Sequence, residues 1–216
     1  MPNSPSQSTN SAPAAATRER ILDSAASVLA ERGYHATSID EVAGRSGVSK
    51  GGFYFHFPSK EAMTVALVES LSDKLVRRVE RAMGAEPQPD LRLAIAMHAL
   101  VRTFARQRTL ATVVLVNVVG QGKSLDKRLI PLRERFAGLI QRELEGAVRA
   151  GVIAPLDTGL ASRVWLGALH EVLLHWLTNA GAPPVERVVD DLGAMLFRGV
   201  GIPAERFALA GGVDGA

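Results

Sequence analysis

Residues 47–57 set hydrogen-bond donors beside positions that have no side chain. Ser49, Lys50, Tyr54 and His56 are the donors, and Gly51 and Gly52 lie among them. Donors of this kind suit an anionic polymer. A short helix whose amino end enters the major groove of a duplex needs small residues where the backbone comes close and donors aimed at phosphates. Gly51 and Gly52 each cost about 1 kcal/mol of helix stability relative to Ala, so they call for an offsetting role. Around them, residues 42–60 hold Arg45, Lys50 and Lys60 and no acid, although the net charge of the whole chain is only +3. A small basic patch is consistent with that balance; a broadly basic protein is not.

These donors need elements to hold them. Ser38-Ile39-Asp40-Glu41 fits a capping box that opens a short helix, and Gly47 suits a left-handed stop. Ser49 is placed to cap a second short helix. That helix must end near Phe57, because Pro58 disfavours helical backbone in the residue before it. Phe53 and Phe57, four apart, bury together. An earlier stripe, Ile21, Leu22, Ala25, Val28 and Leu29, predicts a first helix ending at Gly33. Two short helices three residues apart, packed on a longer one, read as helix-turn-helix. Ser59 then opens a longer helix, 60–83.

Beyond Pro87 and Pro89 the apolar period stays helical, and strand-like alternation is scarce. Five further helices are predicted at about 90–107, 110–119, 131–150, 158–179 and 184–199, with a polar loop over 120–127. The fold class is all-α with about nine helices. Residues 1–16 read as a disordered tail, 17–84 as the helix-turn-helix domain, 85–207 as a second helical domain and 208–216 as a flexible tail.

Several motifs with catalytic overtones do not hold together. His170 and His175 are five apart, whereas a zinc protease helix needs four so that both face one metal. Gly120-Gln121-Gly122-Lys123-Ser124 lacks the first glycine of a phosphate loop, since residue 117 is Asn. Ser124 and Lys127 have a nucleophile-like spacing but lack the motifs that accompany it. No catalytic residue, metal site or cofactor is expected. The chain contains no Cys, which suits a reducing cytoplasm, the expected location. No apolar run approaches the ~20 residues of a membrane span, and the first sixteen residues do not read as a signal peptide.

The register of Thr37-Ser38-Ile39-Asp40-Glu41-Val42-Ala43, Gly47-Val48-Ser49-Lys50-Gly51, Tyr54-Phe55-His56-Phe57 and Ser59-Lys60-Glu61 resembles the amino-terminal signature of the TetR family of transcriptional regulators. The resemblance covers about residues 17–68. It departs at Gly52-Phe53, where the family more often has a small polar or apolar residue and then Leu. The resemblance implies a homodimer that binds palindromic double-stranded operator DNA and answers to a small-molecule effector through its second domain. It implies that Thr37, Ser38, Tyr54, His56 and Lys60 hold phosphates, and that Arg45, Ser49, Lys50 and Gly51 lie nearest base edges. The residues alone leave blander roles open: Ser49 can serve only as a cap and Tyr54 only as packing.

The second domain offers an apolar face sprinkled with polar groups, as a small lipophilic ligand needs. The candidate contacts are Met97, His98, Val101, Arg102, Phe104, Val114, Asn117, Val118, Trp165, Leu169, His170 and Leu173. The last two helices carry Trp165, Leu169, Val172, Leu173, Trp176 and Leu177, then Val185, Val188, Val189, Leu192, Met195 and Leu196. These either fill the subunit's own core or pair with a second copy in a four-helix bundle, as the resemblance implies. The expected function is a ligand-responsive regulator, a repressor by preference. The alternative is a helical small-molecule carrier whose first helices only pack.

Overall fold

The computed structural model describes residues 11–117 and 123–211, and among them every regular element is helical. The order is α1 (Ser11–Ala36), α2 (Ile39–Ser46), α3 (Lys50–His56), α4 (Lys60–Met83), α5 (Pro89–Arg106), α6 (Arg108–Ala111), a π-helical turn (Thr112–Asn117), α7 (Lys123–Arg149), α8 (Thr158–Thr178), α9 (Val185–Gly199) and α10 (Ala204–Gly211).

Two apolar cores organise these elements. The first gathers Ile21, Ala25, Val28 and Leu29 of α1, Val42 and Ala43 of α2, Phe53 of α3, Phe57, and Met63, Leu67 and Val68 of α4. It is completed by three residues from far along the chain: Val113 of the π-helical turn and Leu125 and Leu129 of α7. The second core is built from α4, α5, α7, α8, α9 and α10, with Phe104, Leu144, Trp165, Leu173 and Phe197 among its buried members. Leu71 of α4 packs against both. Arg92 binds Glu143 through two parallel hydrogen bonds of 2.8 and 3.0 Å, tying α5 to α7.

Four elements depart from the sequence reading. Helix α1 begins at Ser11 rather than after residue 16. The run Ala12, Ala14, Ala15 and Ala16 has the best helix propensity, and Pro13 sits in the first turn, where a missing N–H costs nothing. Gly33 does break α1, with φ 76° and ψ 168°. The segment predicted as one helix over 110–119 is instead the short α6 and the π-helical turn. Helix α7 starts at Lys123, eight residues before the expected boundary, and carries Pro131 inside it. An internal Pro costs about 3 kcal/mol or more. Burial of Leu125 and Leu129 offsets this, at about 1.5–3 kcal/mol per side chain.

The fourth departure is α10 (Ala204–Gly211), which spans the predicted boundary between the second domain and a flexible tail. Phe207 and Ala210 are buried against α5 and α9. Gly193 permits that approach, since a Cβ there would lie 2.2 Å from the Phe207 ring. Arg206 Nε donates to Asp90 Oδ2 at 2.6 Å, pinning α10 to the buried carboxylate in the first turn of α5.

Candidate DNA interface and effector cavity

The turn between α2 and α3 is fixed by three local devices. Ser38 Oγ accepts from the Glu41 amide at 3.1 Å, Gly47 adopts φ 69°, and Ser49 Oγ accepts from the Gly52 amide at 3.0 Å. Phe53 and Phe57 pack with ring centroids 5.9 Å apart and anchor α3 from below. What remains outward is Ser38, Arg45, Ser49, Lys50, Gly51, Tyr54 and Phe55, with His56 half-buried. A Cβ on Gly51 would meet nothing closer than Ser49 Oγ at 3.9 Å. The protein's own packing therefore does not demand glycine there. The face it leaves is smooth enough for a duplex to approach the backbone.

The charges on this face are already partnered. Arg45 grips Glu31 of α1 through two hydrogen bonds of 2.8 and 2.7 Å and reaches Glu41 at 3.0 Å. The Glu31 bond holds the guanidinium firmly in its charged form. Lys50 lies 2.9 Å from Asp40, whose hydrogen bond raises the lysine's pKa. The acid-free stretch 42–60 is thus neutralised in space by Glu31, Asp40 and Glu41. Both members of the Lys50–Asp40 pair are more than half exposed, and such a pair is worth at most about 1 kcal/mol. A phosphate or base edge can take Asp40's place.

Two expected phosphate contacts are engaged within the subunit itself. Thr37 is buried, and its hydroxyl donates to the Gly33 carbonyl at 2.8 Å, so it closes the end of α1. Lys60 Nζ donates to the carbonyls of Tyr34, Thr37 and His35 at 2.9, 3.0 and 3.3 Å and lies 4.7 Å from the centre of the Tyr34 ring. Its donors are spent on the turn after α1, so it positions that turn beneath α2. Arg45, held by two carboxylates, must break its own ion pairs to reach a base. Phe55 was missed by sequence reasoning, yet it stands 80% exposed on α3. A hydrophobic-pattern search assigns it to the core; only its place between buried Phe53 and Phe57 could have turned it outward.

In the second domain an apolar cavity of about 110 Å³ lies between α4, α5, α7, α8 and the π-helical turn. Of the expected contacts, Phe104, Val114, Leu169, His170 and Leu173 line it. Leu115 lines it beside Val114, and Leu75, Leu100, Leu132 and Phe136 also line it and were missed. The α7 residues follow the spacing Leu125, Leu129, Leu132, Phe136 and Ile140, a helical stripe whose first two members fall before the predicted start of that helix. His170 Nε2 is buried with no hydrogen-bond partner among the described residues. Arg133 also borders the cavity.

A second apolar cavity, about 70 Å³, adjoins the first and takes Met97 and Trp165. His98, Val101 and Arg102 do not face either one. They turn toward a groove between α5, α9 and α10, where the His98 ring packs 4.5 Å from Phe207. Met97, Leu100 and Phe104 recur at helical spacing on the cavity side of α5, and residue 98 is rotated about 100° from them. The Asn117 side chain and Val118 lie outside the described residues, as do residues 1–10 and 212–216.

The expected pairing residues divide. Trp165, Leu169, Leu173, Val185, Val189 and Leu192 are buried in the subunit's own core; Val172, Trp176, Leu177, Val188 and Leu196 are half-buried; Met195 is exposed. Leu160 and Val164 of α8 are also exposed apolar residues. His175 is exposed and lies 3.2 Å from Asn179 through Nε2, away from His170's cavity. Among the described residues no group of three metal-type ligands occurs, and no helix is long and apolar enough to cross a membrane.

Known proteins share both halves of this arrangement. The family described as "Bacterial regulatory proteins, tetR family" matches residues 21–67, and "Tetracyclin repressor-like, C-terminal domain" matches residues 86–200. The chain is 24% identical over 161 residues to the "Fatty acid metabolism regulator protein" of Bacillus subtilis (strain 168), covering 74% of this chain and 83% of that one. The crystal structure of the transcriptional regulator FadR from Bacillus subtilis in complex with stearoyl-CoA aligns with a TM-score of 0.79 at 22% identity, covering 84% and 98% of the two chains. AibR in complex with isovaleryl coenzyme A and operator DNA aligns with a TM-score of 0.69 at 22% identity, covering 84% and 98%. At these identities the two structures speak for the fold alone. The two family matches together span the α2–α3 turn and the cavity-bearing domain, and the chain belongs to the TetR family of DNA-binding transcriptional regulators.

Proposed function

We propose that this chain is a homodimeric repressor that leaves a palindromic operator when a fatty acyl thioester occupies the C-terminal cavity. The observation that carries the reading is the π-helical turn. Val113 is buried in the first core, while its neighbours Val114 and Leu115 line the cavity. A ligand that displaces this wall moves a residue on which α1 rests. To shift the population from 1:99 to 99:1 it must favour the DNA-incompetent arrangement by about 5.5 kcal/mol.

The chemistry of the cavity supports the ligand class. Its walls are aliphatic and aromatic, and the buried His170 Nε2 offers one hydrogen bond, as a thioester carbonyl requires. Arg133, exposed at its border, suits a phosphate-bearing head group. The relatives named above include a fatty acid metabolism regulator and a stearoyl-CoA complex.

Dimerisation is assigned to the outward stripe Leu160, Val164 and Gly167 of α8, with Met195 of α9. A twofold pair presents recognition helices about 34–36 Å apart, or a multiple of that, to a palindrome. Fluorescence anisotropy with duplexes from upstream of the gene itself tests the whole reading. Binding should be released by micromolar palmitoyl-CoA and not by free coenzyme A. A protein that holds its operator unchanged in every acyl thioester would refute the effector class.

A further inference from the structure

The two apolar cavities share four wall residues: Leu100 of α5, Phe136 of α7, and Leu166 and Leu169 of α8. At about 110 and 70 Å³, each is smaller than the ~150 Å³ dry cavity that accepts a benzene-sized guest. Neither alone holds more than a short aliphatic segment. Together they form two adjoining chambers with these four residues in the wall of both.

The polar groups give the pair a direction. The first chamber has His170 and Arg133 at its edge. The second has only Glu143, and both its oxygens are taken by Arg92. A ligand's polar end therefore belongs in the first chamber. Its tail reaches the second, lined by Met83, Met97 and Trp165, past the four shared side chains, of which Phe136 is the largest. Phe136 is half-buried and packs on the second core from α7 without belonging to its fully buried centre, so its ring is not enclosed on every side.

We propose that Phe136 is the gate between the chambers and sets the acyl chain length to which this protein responds. Short chains fill the first chamber only. Long chains displace the ring and enter the second. This rests on the acyl-thioester reading above and adds to it a specificity-determining residue.

Trp165 supplies the readout, because it lines the second chamber and not the first. In a Trp176→Phe background it is the sole tryptophan. Acyl-CoAs of increasing length, from hexanoyl to stearoyl, are titrated into the full-length protein, with affinity measured by calorimetry and Trp165 emission followed in parallel. Short chains should bind without altering Trp165 emission, and long chains should alter it. Phe136→Trp should weaken long-chain binding at least tenfold more than it weakens short-chain binding. Phe136→Ala should let Trp165 respond to chains shorter than the wild-type threshold. Leu166→Phe narrows the same passage from α8 and should reproduce the Phe136→Trp profile, which guards against a folding defect in either one; circular dichroism checks each variant. Affinity that changes equally at all lengths in the folded variants, or a Trp165 signal indifferent to every bound chain, overturns the gate while leaving the effector class intact. Failure of every acyl-CoA to bind the unaltered protein overturns both.

Discussion

Lys50 and Asp40 show how a single exposed side chain trades partners. In the free protein Asp40 holds the ammonium at 2.9 Å; on a duplex it competes with phosphate for the same donor. Asp40→Asn should therefore tighten operator binding several-fold at low salt. The gain should shrink as ionic strength rises and shortens the screening length, which anisotropy titrations at stepped salt will show. Gly51 gives the opposite pairing of effects. With nothing within 3.9 Å of a new Cβ, Gly51→Ala should raise unfolding stability by up to about 1 kcal/mol, read by urea melts, and weaken operator binding at least fivefold. At this scale the sequence was legible wherever a role depends on near neighbours: both caps, Gly47 and the Phe53–Phe57 pair follow from spacing alone. The intramolecular partners of Thr37, Arg45 and Lys60 were not legible, because Gly33, Glu31 and the carbonyls of Tyr34, His35 and Thr37 are supplied by α1 and the turn after it folding back. No local pattern contains that information.

At the scale of helices, marginal elements are decided by what they touch. The amino-terminal half of α7 carries a proline and a polar start, so propensity and punctuation argue against it; the burial of Leu125 and Leu129 outweighs both. The sequence reading placed the boundary at Pro131 because a breaker is visible in one dimension and a distant core is not. Helix α10 repeats the lesson at the other end. Its Gly/Ala-rich text reads as fraying, yet Phe207 fits the gap above Gly193 and Arg206 meets a buried carboxylate. Gly193→Ala forces the Phe207 ring to move or α10 to lift. It should cost about 1–3 kcal/mol, the usual range for overpacking, measured by chemical denaturation. The all-α class and most long helices were legible because a 3.6-residue apolar period survives over many turns. The π-helical turn was not, since six residues are too few to show a period.

For the molecule as a whole, the proposed twofold rests on exposed apolar side chains. Val164 and Met195 are each more than half exposed, and they sit on the two helices that the resemblance assigns to dimerisation. Val164→Arg combined with Met195→Glu should yield a monomer by light scattering with an unchanged helical spectrum, and should lower operator affinity by two orders of magnitude or more. A protein that stays dimeric with both changes would place the twofold elsewhere. The cavity was only half legible for a related reason: α5 and α8 announced their apolar faces, but which side met α7 and which met α10 depended on packing.

The three residues that complete the first core from residues 113, 125 and 129 bear on how this protein can be re-engineered. A chimera cut at the end of α4, the natural place to splice a reading head onto a foreign sensor, would discard Val113, Leu125 and Leu129 together. The transplanted head would keep its caps and its recognition surface and still sag where those side chains had stood. A working graft has to carry the opening turns of α7 with it, or replace the lost bulk from the new host's own helix.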